Sequence, residues 1–126
     1  MNATPAARKP EMVTAIAVMT LISGILNMAW SIGVFVGAVI LGLGTFLIGC
    51  VCLPLGLFPL GLGIAEIVYA TRLMRNPAGS AVKPSYAIAV LEIIDMLVGN
   101  AFALVTGVMA LIFYNNPSVR RFFGET

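Results

Sequence analysis

Residues 12–65 read MVTAIAVMTLISGILNMAWSIGVFVGAVILGLGTFLIGCVCLPLGLFPLGLGIA and contain no Asp, Glu, Lys, Arg or His. A helix needs about 20 predominantly apolar residues to cross the hydrocarbon core of a bilayer, so this run is long enough for two crossings. The whole chain of 126 residues is 60% hydrophobic and 10% charged, whereas soluble proteins average about 25% charged residues. The sequence therefore predicts an all-α integral membrane protein.

The positive charges predict the number and orientation of the spans. All seven Lys and Arg residues lie in three clusters: Arg8 and Lys9, then Arg72, Arg75 and Lys83, and finally Arg120 and Arg121. Short loops rich in Lys and Arg stay on the cytoplasmic side of a membrane, so all three clusters should face that side. Each interval between clusters must then hold an even number of spans. We therefore predict a four-helix bundle in the membrane with both termini in the cytoplasm.

Turn-forming residues divide this single transmembrane domain, residues 1–126, into helices. Pro10 suits the first turn of a helix, Pro77 keeps the residue before it from helical angles, and Gly99 followed by Asn100 can end one helix and cap the next. The predicted spans are residues 11–40, 46–75, 84–98 and 101–115, followed by a short interfacial C-terminal helix over residues 117–123.

Two regions of this prediction depend on weaker signals. We place the outer turn around Gly42 to Thr45, and the helix limits between residues 31 and 53 stay open because that stretch is apolar throughout. In the C-terminal helix, Phe122 and Phe123 are expected to enter the lipid headgroup region, as apolar residues of interfacial helices do.

Three of the five acidic residues, Glu66, Glu92 and Asp95, fall inside predicted spans. A charged residue at the centre of a bilayer costs at least about 2.5–3.5 kcal/mol on insertion scales, so chance is a poor explanation for three. Glu66 lies 13 residues before Gly79 and Glu92 lies 13 residues after it. An antiparallel hairpin centred on Gly79 therefore brings the two carboxyls to the same depth, with Asp95 one turn further along the face of Glu92.

The first predicted helix carries a polar stripe that suits these acids. Its residues recur at spacings of three, four and four, and therefore share one helical face: Thr20, Ser23, Asn27 and Ser31. We take Glu66, Glu92, Asp95, Thr20, Ser23 and Asn27 as a candidate intramembrane polar cluster. Two interpretations stay open, namely a shared proton or bound cation between neighbouring carboxyls, or hydrogen-bonded acids that lock the helices together.

A stripe of small residues on the same helix is a candidate helix-packing face. Ala29, Gly33 and Gly37 follow the small-xxx-small spacing that lets membrane helices approach closely. Ala103 and Gly107 repeat the spacing in the last span. Such stripes are frequent in glycine-rich membrane chains, so they predict contact between helices without naming the partner.

The residue types present disfavour catalysis and cofactor binding. The chain contains no histidine, and its two cysteines, Cys50 and Cys52, have no further metal ligand near them in the sequence. Such cysteines more commonly serve as small buried apolar residues. We identify no catalytic residue, no metal ligand and no cofactor-binding motif, and the short Lys and Arg pairs form no basic stripe for nucleic acid.

The second half of the chain resembles small prokaryotic four-span membrane proteins. The similarity rests on a short basic turn after the second span and on a P-x-V-R-x-x-F tail, here Pro117, Val119, Arg120 and Phe123. The stretch VTAIAVMTLISGILNMAWSIGVFVG more faintly resembles the opening span of CD20-like tetraspan proteins. These resemblances imply a multi-pass protein of a prokaryotic cytoplasmic membrane and carry over no activity.

From these features we expect a non-enzymatic membrane protein that acts as a structural or accessory subunit, in a homo-oligomer or a larger membrane assembly. Its partners would be the lipid bilayer and other transmembrane helices. The alternative is a small channel or transporter in which the intramembrane carboxylates bind a cation or a proton.

Overall fold

A computed structural model describes residues 9–42, 46–76 and 82–125, apart from the side chains of residues 42 and 46–53. The described residues are helical and include no strand. In chain order the helices are α1 (Glu11–Gly42), α2 (Phe46–Arg75), α3 (Tyr86–Asp95), a 3₁₀ helix (Met96–Val98), α4 (Ala101–Tyr114) and α5 (Pro117–Phe122). These limits lie within about two residues of the helices predicted from turn signals.

Side-chain caps explain where the three later helices begin. The backbone N–H of Ile88 donates to Ser85 Oγ at the start of α3, at 3.4 Å. The backbone N–H of Ala103 donates to the Asn100 side chain at the start of α4, at 3.2 Å. Asn116 accepts from Ser118 in the same way at 2.9 Å. Each cap satisfies an N–H that the first turn of a helix leaves without a backbone partner.

Several predictions concern residues outside this description. The predicted outer turn includes residues 43–45, and the cytoplasmic turn includes Gly79 and Ser80; both segments lie outside the described residues. The side chains of Cys50 and Cys52 also lie outside them, so their proposed burial stays a prediction.

The helices pack as two hairpins, α1 with α2 and α3 with α4. In addition, α1 contacts α4 and α2 contacts α3. Glycines set the closest approach inside each hairpin. A Cβ on Gly24 of α1 would lie 2.9 Å from the Gly63 carbonyl oxygen of α2, and one on Gly63 would lie 2.8 Å from the Gly24 carbonyl oxygen. In the second hairpin, a Cβ on Gly107 would lie 2.4 Å from the carbonyl oxygen of Ala89.

The helix α5 folds back onto an apolar core near the N-terminal end of α1. This core contains Val13, Ile16, Ala17, Leu73, Ala89, Ala110, Tyr114, Val119, Phe122 and Phe123. The rings of Phe122 and Phe123 meet edge to face, with centroids 5.2 Å apart. The expectation that these two rings enter the headgroups is therefore wrong: they are 5% and 9% exposed because they pack on the other helices.

Lys9 joins the start of α1 to the end of α2. Its Nζ donates to the carbonyl oxygens of Leu73 at 2.6 Å and Met74 at 2.9 Å. The last carbonyls of a helix have no intrahelical partner and carry the negative end of the helix dipole, so an ammonium group stabilises them.

Two helical segments of the described chain are long and apolar enough to cross a membrane: Glu11–Leu41, with mean hydropathy 2.0, and Pro54–Arg75, with mean hydropathy 1.4. The helix α4 is apolar but has only 14 residues, roughly 21 Å at 1.5 Å per residue. By the same rise, the 32 residues of α1 extend over roughly 48 Å. The hairpin of α3 and α4 therefore covers only part of the length of α1 and α2.

Overpacking at the contact between α1 and α2 tests this arrangement. We expect Gly63→Leu to lower the free energy of unfolding by about 1–3 kcal/mol, since a side chain there must push against the backbone of α1. Thermal unfolding of the purified chain in detergent micelles would measure the loss.

The matched control is Gly61→Leu, two residues away on the exposed side of α2, where an added Cβ meets no atom within 4 Å. It should change stability by less than about 0.5 kcal/mol. Equal effects of the two substitutions would contradict the observed register of α1 against α2.

Candidate functional site

The polar stripe of α1 faces the interior of the protein. Thr20 is 2% exposed, and Ser23, Asn27 and Ser31 are fully buried. Ser31 Oγ donates to the backbone oxygen of Asn27 at 2.9 Å, one turn earlier in the same helix. The spacing that predicted a common face therefore corresponds to one buried line of hydroxyl and amide groups.

Glu66 of α2 receives hydrogen bonds from this stripe. Ser23 Oγ donates to Glu66 Oε1 at 3.1 Å, and Asn27 Nδ2 donates to Glu66 Oε2 at 2.9 Å. The close contact of Gly24 with Gly63 holds the helices near enough for these bonds: a Cβ on Gly24 would lie 3.1 Å from Glu66 Cβ. Both oxygens of the buried Glu66 carboxyl therefore have a donor.

Glu92 of α3 has no such support. Its side chain is fully buried, and no donor on the described residues reaches Oε1 or Oε2. Its carboxyl lies beside that of Glu66. Gly107 of α4 packs on the other side, where an added Cβ would lie 3.0 Å from Glu92 Cβ. The interior thus places two carboxyls together and gives donors to one of them.

Asp95 and Asn100 extend this group towards the turn between α3 and α4. Asn100 Nδ2 donates to Asp95 Oδ2 at 3.2 Å and also to Asn27 Oδ1. Asp95 is fully buried, and its Oδ1 has no hydrogen-bond partner among the described residues. Asn100 therefore connects the acid of α3 to the amide that binds Glu66 in α2.

Sequence reasoning identified Asn100 only as a helix cap, and its role in the cluster was missed. Its position five residues after Asp95 was the available signal, because a residue that closes the turn can reach back to the last turn of α3. Thr106 was missed as well: it is 1% exposed and donates to the Phe102 carbonyl at 3.1 Å.

A pair of tyrosines lies on the other side of Glu92, towards Lys9. The hydroxyls of Tyr69 and Tyr114 are 3.0 Å apart. Tyr69 Oη also donates to the Lys83 carbonyl at 3.3 Å and accepts from the backbone N–H of Ser85 at 3.2 Å. These bonds attach α2 and α4 to the segment that precedes α3, and they close this end of the polar interior.

The residues described by the structure contain no group of three or more Cys, Asp or Glu side chains that could hold a metal ion. Glu66, Glu92 and Asp95 are therefore close in space without forming a set of converging metal ligands.

The predicted helix-packing face lies on the outside. Ala29 and Gly33 are exposed, and a Cβ on Gly33 or Gly37 would meet no atom within 4 Å. Among the described residues, packing of this stripe against another helix is therefore not observed. Among the described glycines, Gly24, Gly63 and Gly107 make that approach instead, and Ala103 is fully buried beside them.

Ala29 and Gly33 line an apolar groove of about 600 Å³ above the turn between α3 and α4. Its other lining residues are Leu26, Trp30, Val34, Gly99 and Asn100. Gly99 has φ of 98°, a left-handed conformation that favours glycine, and an added Cβ there would lie 3.3 Å from the Trp30 ring. Asn100 thus lines the groove and also belongs to the polar cluster.

Comparison of the chain with protein-family models, with curated proteins and with solved structures finds no match.

Removal of the Asn27 amide tests the cluster. We expect Asn27→Ala to lower the free energy of unfolding by about 1–3 kcal/mol, because it leaves the buried Glu66 Oε2 without a donor and removes the acceptor of one Asn100 amide proton. Thermal unfolding in micelles would measure it.

The control is Ser31→Ala, which removes a buried hydroxyl bonded only within its own helix and should cost less than about 0.5 kcal/mol. An equal loss of unfolding free energy in both variants would show that the hydrogen bonds of Asn27 to the other helices contribute nothing beyond packing.

Proposed function

We propose that this chain is a multi-pass integral membrane protein with four spans and cytoplasmic termini, acting as a non-enzymatic structural or accessory subunit. It would work as a homo-oligomer or within a larger assembly of a prokaryotic cytoplasmic membrane. The observation that carries the proposal is the uncovered small-residue face of α1, beside a groove where the hairpin of α3 and α4 stops short.

The distribution of polarity supports a lipid environment. Large apolar side chains point outwards along the helices, including Ile25 at 55%, Ile32 at 61% and Val39 at 61% exposed, while the interior holds Ser, Thr, Asn and acidic groups. A soluble protein has the opposite arrangement and rarely exposes large apolar patches. Hydrocarbon tails solvate such an exterior, whereas water does not.

The groove supports association with another helix. Small residues let helix backbones approach closely in a bilayer, where packing rather than the hydrophobic effect drives association. The stripe of Ala29 and Gly33 is available for this because no helix of the described chain covers it. A transmembrane helix from a second copy, or from another subunit, has the shape and polarity to occupy the groove.

A channel or transporter is the second candidate. Glu92 favours it, since a purely structural lock would satisfy both oxygens of a buried carboxyl, and those of Glu92 lack donors. Against it, no Lys, Arg or His lies between residues 84 and 119 to complete a relay of charged groups.

Accessibility of single cysteines tests the topology. In a chain lacking Cys50 and Cys52, Ser80→Cys should react with an impermeant reagent only after the cytoplasmic side is opened. Leu97→Cys, at a position 86% exposed in the short helix before the turn, should react from the outside, because α3 and α4 would cross the bilayer.

Reaction of position 97 from neither side would mean that the hairpin of α3 and α4 enters the membrane without crossing it. Reaction of position 80 from outside would overturn the orientation altogether, since the middle cluster of positive charges would then face outwards.

The packing face is tested by Gly33→Leu. An added side chain there meets nothing within the chain, so the unfolding temperature should stay unchanged while the assembly extracted by mild detergent becomes smaller. Size-exclusion chromatography coupled to light scattering would report the size.

Gly61→Leu, which adds the same bulk to the exposed side of α2, is the control and should leave the assembly intact. A Gly33→Leu chain that keeps the wild-type assembly size would remove the groove as the docking face, and a wild-type chain that is monomeric after mild extraction would remove the subunit role.

A further inference from the structure

The buried carboxyls of Glu66 and Glu92 differ in how the protein supports them. Glu66 accepts from Ser23 and from Asn27, whereas Glu92 receives no hydrogen bond from the described residues. An ionised carboxylate is an acceptor only and is stabilised by donors, while a protonated carboxyl supplies one donor of its own. The donors around Glu66 therefore suit its ionised form, and the surroundings of Glu92 suit its protonated form.

The charged and titratable surroundings agree with this assignment. From α2 the pair faces Tyr69, from α3 Asp95 and from α4 Tyr114. The stripe of α1 contributes the neutral groups Thr20, Ser23 and Asn27. Arg120 and Arg121 of α5 are exposed at the far end. Because none of the described residues that face the pair is a cation, and two adjacent carboxylates in a low dielectric cannot both ionise cheaply, one of them holds a proton.

Asp95 connects this pair to the turn between α3 and α4. Asn100 lines the groove and binds Asp95, whose free Oδ1 lies at the end of α3 one turn beyond Glu92. On the opposite side, the pair of Tyr69 and Tyr114 and the apolar core of Val13, Ile16 and Ala17 close the interior. A proton that enters at the turn between α3 and α4 therefore meets Asp95 before it meets Glu92.

We propose that Glu66 and Glu92 form a binding site for one proton, with Glu92 as the group that carries it, Glu66 as its acceptor and Asp95 as the group that passes it in from the turn between α3 and α4. In the transfer, Asp95, which is ionised at rest, takes a proton from a hydronium ion at the turn and leaves a water molecule there. The new O–H bond of Asp95 then breaks as one forms on ionised Glu92, directly or through a water molecule, and Asp95 is ionised again. The site deepens the second candidate function, but proton binding does not by itself require transport.

Infrared spectroscopy of the full chain in micelles at neutral pH tests proton binding. The wild type should show the carbonyl stretching band of a protonated carboxylic acid, and Glu92→Gln should lose it while helix content and the elution profile persist. Glu66→Gln should retain the band at a shifted frequency, because Glu92 then donates to an amide oxygen. Glu125→Gln, at the exposed end of the chain, is the control and should leave the spectrum of this band unchanged.

The same band tests the route when the protein is transferred to heavy water, since deuteration shifts its frequency. Asp95→Asn keeps the size and the acceptor oxygen of Asp95 but cannot relay a proton, so exchange at Glu92 should slow several-fold. Tyr114→Phe, on the closed side, should leave the exchange rate unchanged.

A folded Glu92→Gln chain that keeps the full carboxylic acid band would overturn Glu92 as the carrier, and unchanged exchange in Asp95→Asn would overturn the route. Proton flux in reconstituted vesicles separates this site from transport. A Glu92 band without flux supports the site and removes the transporter, whereas flux that survives Glu92→Gln removes the site from any transport pathway.

Discussion

The contact between Glu66 and Glu92 is the interaction on which the arrangement of the helices depends. Glu66 of α2 accepts hydrogen bonds from two side chains of α1 and lies beside an acid of α3. Its carboxyl therefore contacts two other helices. A buried carboxyl without donors or a proton costs several kcal/mol. The helices therefore have few alternative registers, because sliding α1 by one turn would separate Ser23 and Asn27 from Glu66.

Close glycine contacts make this polar interior possible. The carbonyl oxygen of Gly63 lies next to the position that a Cβ on Gly24 would occupy, and the reverse also holds. Gly107 brings α4 close to α3 next to Glu92. Side-chain hydrogen bonds reach only about 3 Å, so bulky residues at these points would hold the polar groups too far apart. The small residues thus set the distance between the helices, and the polar residues set the register of one helix against another.

Patterns of fixed spacing predicted much of this arrangement. Equal separation of Glu66 and Glu92 from Gly79 indicated that their carboxyls share a depth, and the structure brings them side by side. The spacing of Thr20, Ser23 and Asn27 indicated one face, and that face is buried. Both inferences succeed because hairpin geometry and helical period are local rules that follow from sequence separation alone.

Other features follow from contacts that no spacing describes. The stripe of Ala29 and Gly33 has the same pattern as Ala103 and Gly107, yet only the second packs within the chain, because α3 and α4 are too short to reach the first. Asn100 joins the cluster because the turn folds back over Asp95. Phe122 and Phe123 enter the core because α5 returns to the bundle, and an amphipathic pattern alone does not distinguish protein from lipid headgroups.

By itself, the sequence determined that the chain is helical and apolar, where its later helices begin and end, and which polar groups share a helical face. These properties depend on the solvation of single residues and on backbone preferences close in the chain. Only the tertiary structure decided which carboxyl receives donors, which glycines touch and which face stays open. Those outcomes depend on the relative position of two hairpins. Each is set by the packing of side chains that lie far apart in sequence and constrain one another's positions.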